Sequence, residues 1–435
     1  MKLSGWGRYP ERDVCMFTPG TILGLQDWLK QEARGQVIAR GLGRSYGDSA
    51  IGDTVVSTCR LDHVLGFDES TGVVRCSAGT SLAQLLDIFV HRGWFLPVTP
   101  GTRFVTVGGA VASDVHGKNH HVAGCFCDHV ESIDVLVDAE TVLRCSKTEH
   151  ADLFHATCGG MGLTGIVLAV ELRMKPVKSS LIEQRTFKAR NLAEVLDLFD
   201  AHAASTYSVA WIDCVSGGGS PGRSLLMTGE HAEHGGLKVK AGSGIGLPFD
   251  LPSGLLNRFS VKAFNTLYYH RVRSRQESGS VHYAPFFYPL DSLNDWNRMY
   301  GKNGFTQYQF VIPKAAGFDG MNRILKTIVE SGRGSFLAVL KVFGGGNDNL
   351  LSFPMEGYTL ALDFGIEPGL FELLDRLDDM VLDYGGRLYL TKDVRMNAEV
   401  FRKSYERIEA FQGVRERYGT RGKFVSHQSK RLGLD

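Results

Sequence analysis

The stretch Arg40-Gly41-Leu42-Gly43-Arg44-Ser45-Tyr46-Gly47-Asp48 follows the apolar run Val37-Ile38-Ala39 and then fails to start a helix. A strand running into a glycine turn is the placement a phosphate cradle needs. Glycine reaches φ > 0 and lets neighbouring N–H groups approach an anion or a flat ring with no Cβ in the way. A nicotinamide fingerprint needs a helix directly after its glycines and an acidic residue about twenty positions on. Asp62 sits at that distance, but Arg44 to Asp53 is polar and broken by Gly47 and Gly52, so the fit is poor. The loop is better read as wrapping phosphates with its own N–H groups.

Two more glycine segments follow. One is Val107-Gly108-Gly109-Ala110-Val111-Ala112-Ser113-Asp114-Val115-His116-Gly117, the other Gly159-Gly160-Met161-Gly162-Leu163-Thr164-Gly165. A surface loop is the competing account of the first segment alone. Three in this order point to a large dinucleotide held across a whole domain.

The chain has 435 residues, enough for more than one core. Its 43% apolar and 22% charged residues are those of a soluble globular protein, and 48 basic against 47 acidic residues leave no field to attract nucleic acid. The start, Met1 to Pro10, lacks the apolar core of a secretory signal, and no apolar run is long enough to span a bilayer. A cytoplasmic protein is expected. Eight cysteines without a C-x-x-C pair read as reduced, mostly buried residues.

Apolar spacing predicts a helix over 19–34 through Ile22, Leu25, Trp28 and Leu29, and one capped by Ser81 through Leu82, Leu85, Leu86 and Phe89. Val73 to Cys76, 130–146 and 165–173 read as strands. Lys175-Pro176-Val177 marks a boundary. Ser216 to Gly246 reads as one long irregular stretch, of the kind that forms lids or binding segments. Gln307 to Ile312 and Tyr358 to Phe364 alternate as half-buried strands do. The last forty or so residues return to helical spacing with Phe401, Tyr405, Ile408 and Phe411, and are expected to pack back onto the first domain.

The run Ala39 to Asp48 resembles the pyrophosphate loop of FAD enzymes of the vanillyl-alcohol oxidase and p-cresol methylhydroxylase type. Within that superfamily, Pro100-Gly101-Thr102 to His116-Gly117-Lys118-Asn119-His120-His121 is similar to the polyprenylphosphoryl-β-D-ribose oxidases. The likeness continues through Phe305 to Pro313, Phe336 to Lys341 and Gly385 to Asp393, and is weakest between 215 and 285. It implies an α+β fold in two domains: an FAD-binding domain over 1–176 and a substrate domain over 177–386, built on an antiparallel sheet flanked by helices. A C-terminal segment, 387–435, returns to the first. Several members of the superfamily attach flavin through a histidine after the Arg-Ser-x-Gly run; here that position is Asp48, so non-covalent FAD is expected.

The resemblance implies oxidation of a sugar C2 hydroxyl on a polyprenyl phosphate, hydride passing to flavin N5. This is the first half of an epimerisation that a short-chain-type nicotinamide-dependent reductase completes to give an arabinose donor. Lys392, His116 and Tyr46 are the implied catalytic group, with Lys392 beside the part of the flavin that gains negative charge. Arg40, Gly41, Gly43, Arg44, Ser45, Tyr46, Gly47, Asp48, Thr102, Gly108, Gly109, Ser113, His116, Gly117, Gly160, Gly162, Gly165 and Ile166 are the implied cofactor contacts. Lys118, Gln307, Gln309, Lys341, Lys392 and Trp211 are the implied substrate contacts. A lysine in the apolar run Val339-Leu340-Lys341-Val342-Phe343 needs a partner, which a phosphate or hydroxyl could supply. Some relatives carry a cysteine where this chain has Ala361, so no role is assigned to a thiol. The basic run His270-Arg271-Val272-Arg273-Ser274-Arg275 is expected at a membrane surface, gripping the lipid phosphate.

Three other readings compete. The first is an oxidase of a soluble alditol, aldonolactone or other sugar. The second is a non-catalytic FAD or lipid-phosphate binding protein. The third is a metalloprotein using His116, His120, His121, Cys125, Cys127 and His129, although H-x₃-H-H-x₃-C-x-C matches no common zinc module.

Overall fold

The structure is a computed structural model that describes residues 1–31, 35–215, 221–239, 244–252 and 256–435. It is a mixed α+β arrangement with two large antiparallel sheets. The smaller runs Val142–Ser146, Val130–Leu136, Ile166–Arg173, Val73–Ser77, Val64–Asp68. The expected strand over 130–146 is a hairpin, because the Asp138 carboxylate accepts the N–H groups of Glu140 and Thr141 and turns the chain. Ser81 caps the helix Leu82–Phe89 in a capping box with Gln84, and Leu82, Leu85, Leu86 and Phe89 are buried beneath it. The helix expected over 19–34 is Ile22–Gln31, and 32–34 lie outside the described residues.

A parallel sheet of Cys15–Phe17, Thr54–Ser57 and Ile38–Arg40 delivers the first glycine run. That run continues as turns with no helix. Gly43 has φ +65°, a conformation open mainly to glycine.

The larger sheet has eight strands, in the order Gln276–His282, Leu181–Ala189, Ser224–His231, Tyr207–Ile212, Ala338–Phe343, Gly357–Gly365, Phe305–Pro313, Arg387–Leu388. Every neighbouring pair is antiparallel. Helices Leu192–Ala201, Gly317–Glu330 and Leu370–Asp383 cover one face. Side chains alternate across a strand. Tyr308, Phe310, Leu340, Leu360 and Leu362 therefore enter the core, while Gln307, Gln309, Val339, Lys341, Ala361 and Trp211 face a cleft on the opposite side.

The strand Ser224–His231 corrects the reading of 216–246 as one irregular stretch. It pairs on both sides within the sheet, with Leu225 and Leu226 fully buried. Glycine-rich flanks masked a short apolar run whose strand character comes from its neighbours. Residues 216–220 and 240–243 lie outside the described residues. The region after them also has order: Asn257 caps the helix Arg258–His270, and Gln276–His282 is an edge strand. Among the described residues no helix is long and apolar enough to cross a membrane.

The C-terminal helices Ile408–Arg417 and His427–Leu432 return to the first glycine region. The former packs on Ala151–Thr157, and His427 N–H donates to Ile51 O. Arg431 then joins two loops distant in sequence, donating to Asp48 at 2.7 Å and to Asp393 at 2.9 Å. Both carboxylate side chains are under 10% exposed. Burial would raise the Asp393 carboxyl, but Arg431 and the N–H groups of Arg395 and Met396 hold it below the usual range. At Asp48 burial wins and pushes the carboxyl up. Removing the cation leaves two buried acids without their partner, a change that costs about 3–5 kcal/mol. Arg431→Leu should lower the thermal midpoint by roughly 5–10 °C. Adding Asp48→Asn and Asp393→Asn should recover part of that loss. Differential scanning calorimetry checks both, and an unchanged midpoint in the single variant would contradict the role given to Arg431.

Candidate active site

A cleft of about 370 Å³ runs between the glycine loops and the open face of the eight-stranded sheet. Arg40, Gly41, Gly43, Arg44, Ser45, Tyr46, Thr102, Gly108, Gly109, Ser113, His116, Gly117, Gly162 and Gly165 line one side. Lys118, Trp211, Gln307, Gln309, Lys341 and Lys392 come from the other elements, with Ala361 in the sheet wall. Four residues of the sequence reading lie outside this lining. Gly47 makes room for the Asp393 carbonyl, which a Cβ would meet at 2.0 Å, and Gly160 does the same for Ala156 O. Asp48 is held by Arg431, and Ile166 is packed with Leu25, Val37 and Val56. They build the walls.

The first loop is braced at both ends. Arg40 donates to Ser4 O at 2.6 Å, Trp6 N–H to Ser45 O at 2.7 Å and Tyr46 N–H to Thr391 O at 3.0 Å. Arg44 lies 3.9 Å from the centre of the Trp6 ring, a cation–π contact at the cleft wall. The Tyr46–Thr391 bond brings the Lys392 ammonium 4.1 Å from the centre of the Tyr46 ring.

Lys392, Lys341 and Lys118 converge on the cleft. Burial pulls Lys392 down to about 7, with Asp363 raising it and Lys341 lowering it. Burial alone takes Lys341 down to about 8. Burial, with Lys341 nearby, takes Lys118 down to about 7, while Lys118 donates to Phe286 O. Asp363 is pushed up to about 7 by burial, against the bond from Gln307 at 2.7 Å and the charge of Lys392. Three lysines that, among the described residues, form no salt bridge to a carboxylate make a site for an anion or for negative charge that develops during reaction.

His116 is buried among Phe343, Phe353 and Tyr389. Burial, then Lys341, His120 and Lys392, holds it well below its ordinary value, so it is neutral at pH 7. Its tautomer follows from the bonds around it. Thr359 Oγ1 donates to Phe310 O at 2.7 Å, so toward Gln309 it can only accept. The Gln309 amide nitrogen therefore points there, at 3.3 Å, and donates also to His116 Nε2 at 3.1 Å. A bare Nε2 puts the proton on Nδ1, which is buried and has no hydrogen-bond partner among the described residues. An unmade buried bond costs about 1–3 kcal/mol, which an acceptor atom of a bound ligand would relieve.

The other residues of the histidine and cysteine cluster go to separate places. His120 accepts from Gly344 N–H, His121 bonds Ser205 O, His129 bonds Ala123 O, and Cys127 donates to Val111 O. Among the described residues no three His, Cys, Asp or Glu side chains converge as metal ligands would.

Sequence reasoning passed over Asp363, Thr359 and Tyr389. A polar residue inside the apolar strand Tyr358 to Phe364 was the available signal for Asp363 and Thr359. Tyr389 donates to Ser113 O and stacks on Phe353, contacts with no local pattern.

Comparison with known proteins finds a family model that matches part of the chain and a relative that matches along the whole of it. The FAD binding domain family matches residues 15–146. Decaprenylphosphoryl-β-D-ribose oxidase of Mycolicibacterium smegmatis is 38% identical, covering 100% of this chain and 97% of that protein. An uncharacterized Streptomyces coelicolor protein is 31% identical over 81% of this chain and 100% of its own length. Bovine L-gulonolactone oxidase is 29% identical over 46% of each chain.

Nitrogen-15 spectra of the histidine-labelled protein should show His116 protonated at Nδ1 and bare at Nε2, with its titration displaced downward from that of an ordinary histidine because the ring is buried. Thr359→Val removes the acceptor that orients Gln309 and should populate the Nε2–H form. A wild-type signal with the proton on Nε2 would contradict the assignment.

Proposed function

We infer the reaction from the premise that this chain belongs to the decaprenylphosphoryl-β-D-ribose oxidase family and carries its FAD binding domain. It oxidises the C2 hydroxyl of a polyprenylphosphoryl-β-D-ribose to the 2-keto sugar. The observation that carries this reading is the convergence of Lys118, Lys341, Lys392, Gln309 and His116 on one cleft with the glycine loops.

The cofactor is FAD, and the residues present suit it. The cleft volume falls in the ~300–1,000 Å³ range of ligand pockets. Arg40 to Tyr46, Gly108, Gly109 and Gly162 would hold its pyrophosphate and ring system, and His116 Nδ1 is a buried donor awaiting an acceptor. Attachment is non-covalent: the position after the Arg-Ser-x-Gly run is Asp48, occupied by its bond to Arg431. FAD supplies the hydride acceptor at flavin N5.

The chain's own groups do the rest. Lys392 keeps a positive charge at the cleft wall, where negative charge arriving with the hydride is stabilised. Among the described residues the Lys341 side chain has no hydrogen-bond or ion-pair partner, its Nζ lying 6.0 Å from the centre of the Phe343 ring, and its charge acts on His116, Lys118, His120 and Lys392, which supports a central role. As the free amine it accepts the hydroxyl proton at Nζ. Lys118 and Gln309 orient the sugar. Val339, Leu337, Met227 and Trp211 form an apolar end suited to a prenyl chain.

The arrangement in two units, of the p-cresol methylhydroxylase type, is supported near 176 by the strands, whereas Arg387–Leu388 carries the larger sheet past 386. The five-stranded sheet uses residues 64–173 and the eight-stranded sheet 181–388. A short-chain-type keto-reductase is the partner that would complete the epimerisation.

With substrate deuterated at C2, anaerobic flavin reduction should slow several-fold and yield the 2-keto product, whereas no isotope effect and no ketone would contradict hydride loss from C2. A base must be unprotonated to act, so reduction should speed up as pH rises through about 8. Lys341→Met should abolish that rise. Lys392→Met should slow reduction by roughly 10²–10³, the usual effect of removing one stabilising donor.

A further inference from the structure

The helix Arg258–His270 has a buried face and, on its other side, an exposed apolar row. The buried face packs inward through Val261, Asn265 and Tyr269, and Tyr269 joins Trp211, Leu225 and Val272 in a buried cluster. At about 100° per residue, the other side carries Phe259, Ala263 and Leu267, with Phe264 beside them. Phe259 is 83% exposed, Leu267 74% and Phe264 45%. Single exposed apolar residues are ordinary, but a row along one helix face marks a binding surface.

Charge points to what that surface meets. Arg258, Lys262, Arg271, Arg273 and Arg275 are all exposed, and no Asp or Glu occurs between Asp250 and Glu277. The whole chain carries a formal net charge of only +1, so this is a local excess. Position adds the third argument. Tyr268 lies on the edge of the same helix, 4.8 Å from Trp211, and both line the apolar end of the cleft. An exposed apolar row with positive charge around it is the pattern of a helix that lies in a membrane interface, and this helix borders the cleft through Tyr268.

We propose that Arg258–His270 is a membrane-surface anchor. Phe259, Phe264 and Leu267 insert among the acyl chains of an anionic bilayer, and the basic residues hold its headgroups. The apolar end of the cleft then opens at the plane from which a prenyl chain enters. That last step rests on the lipid-linked substrate proposed above, whereas the docking stands on the helix alone. The arginines of 271–275 thus act together with an apolar face that the sequence reading left out.

The test uses the full-length, FAD-loaded protein and flotation on phosphatidylcholine vesicles with or without phosphatidylglycerol. Wild type should float with the anionic vesicles. F259S/L267S should lower the bound fraction roughly tenfold or more, and R273E/R275E should remove the preference for phosphatidylglycerol. Phe259 and Leu267 lie outside the cleft lining, so F259S/L267S should retain flavin and be reduced by a detergent-soluble short-chain substrate as fast as wild type. Wild type that stays at the bottom of the gradient would overturn the proposal, as would F259S/L267S that floats equally well. Size exclusion separates the remaining case: a wild-type dimer that F259S/L267S converts to monomer would make the face a seam between two copies. Flotation with no reduction by the short-chain lipid would leave the anchor standing and remove the oxidase reading.

Discussion

The site depends on Arg431 bridging Asp48 and Asp393. These carboxylates lie beyond the ends of two short segments, Tyr46 on one and Lys392 on the other, and one buried guanidinium brings the segments together. The Tyr46–Thr391 backbone bond then fixes their relative height, and the Lys392 ammonium comes to rest against the Tyr46 ring. A buried ion pair is weak evidence of stability, because desolvation offsets much of its attraction. Its value here is positional: it sets where a cation stands in a cleft that accepts electrons.

The eight-stranded sheet supplies the other half through parity. Register places Gln309 opposite Ala361, Ala361 opposite Val339 and Val339 opposite Trp211, one row crossing four strands. Two residues along, Gln307 stands opposite Asp363. A slip of one residue in any of these strands would send the polar groups into the helices behind the sheet. Buried Leu340, Leu360 and Phe310 oppose that slip, so packing on one face keeps the chemistry on the other.

The glycine loop was legible because its meaning is local: a strand, then glycines, then no helix. The strands around Gln309 and Ala361 were legible from alternation, and the family resemblance supplied roles for Gln309 and Lys341. Asp48 was read as a cofactor contact, and its actual partner, Arg431, lies 383 residues further along the chain. Asp363 was missed because Gln307, the side chain that explains it, is 56 residues away. Ser224–His231 was missed because its place as an interior strand comes from pairing rather than from its own composition. Long-range partners are what a single sequence does not display.

The central claim is that this cleft passes hydride from a lipid-linked ribose to flavin. Anaerobic titration of the FAD-loaded protein with a short-chain polyprenylphosphoryl-ribose, following flavin absorbance near ~450 nm, tests it most directly. The account predicts bleaching by this lipid and none by free ribose, alditols or aldonolactones. Bleaching by a soluble sugar, with none by the lipid, would contradict it.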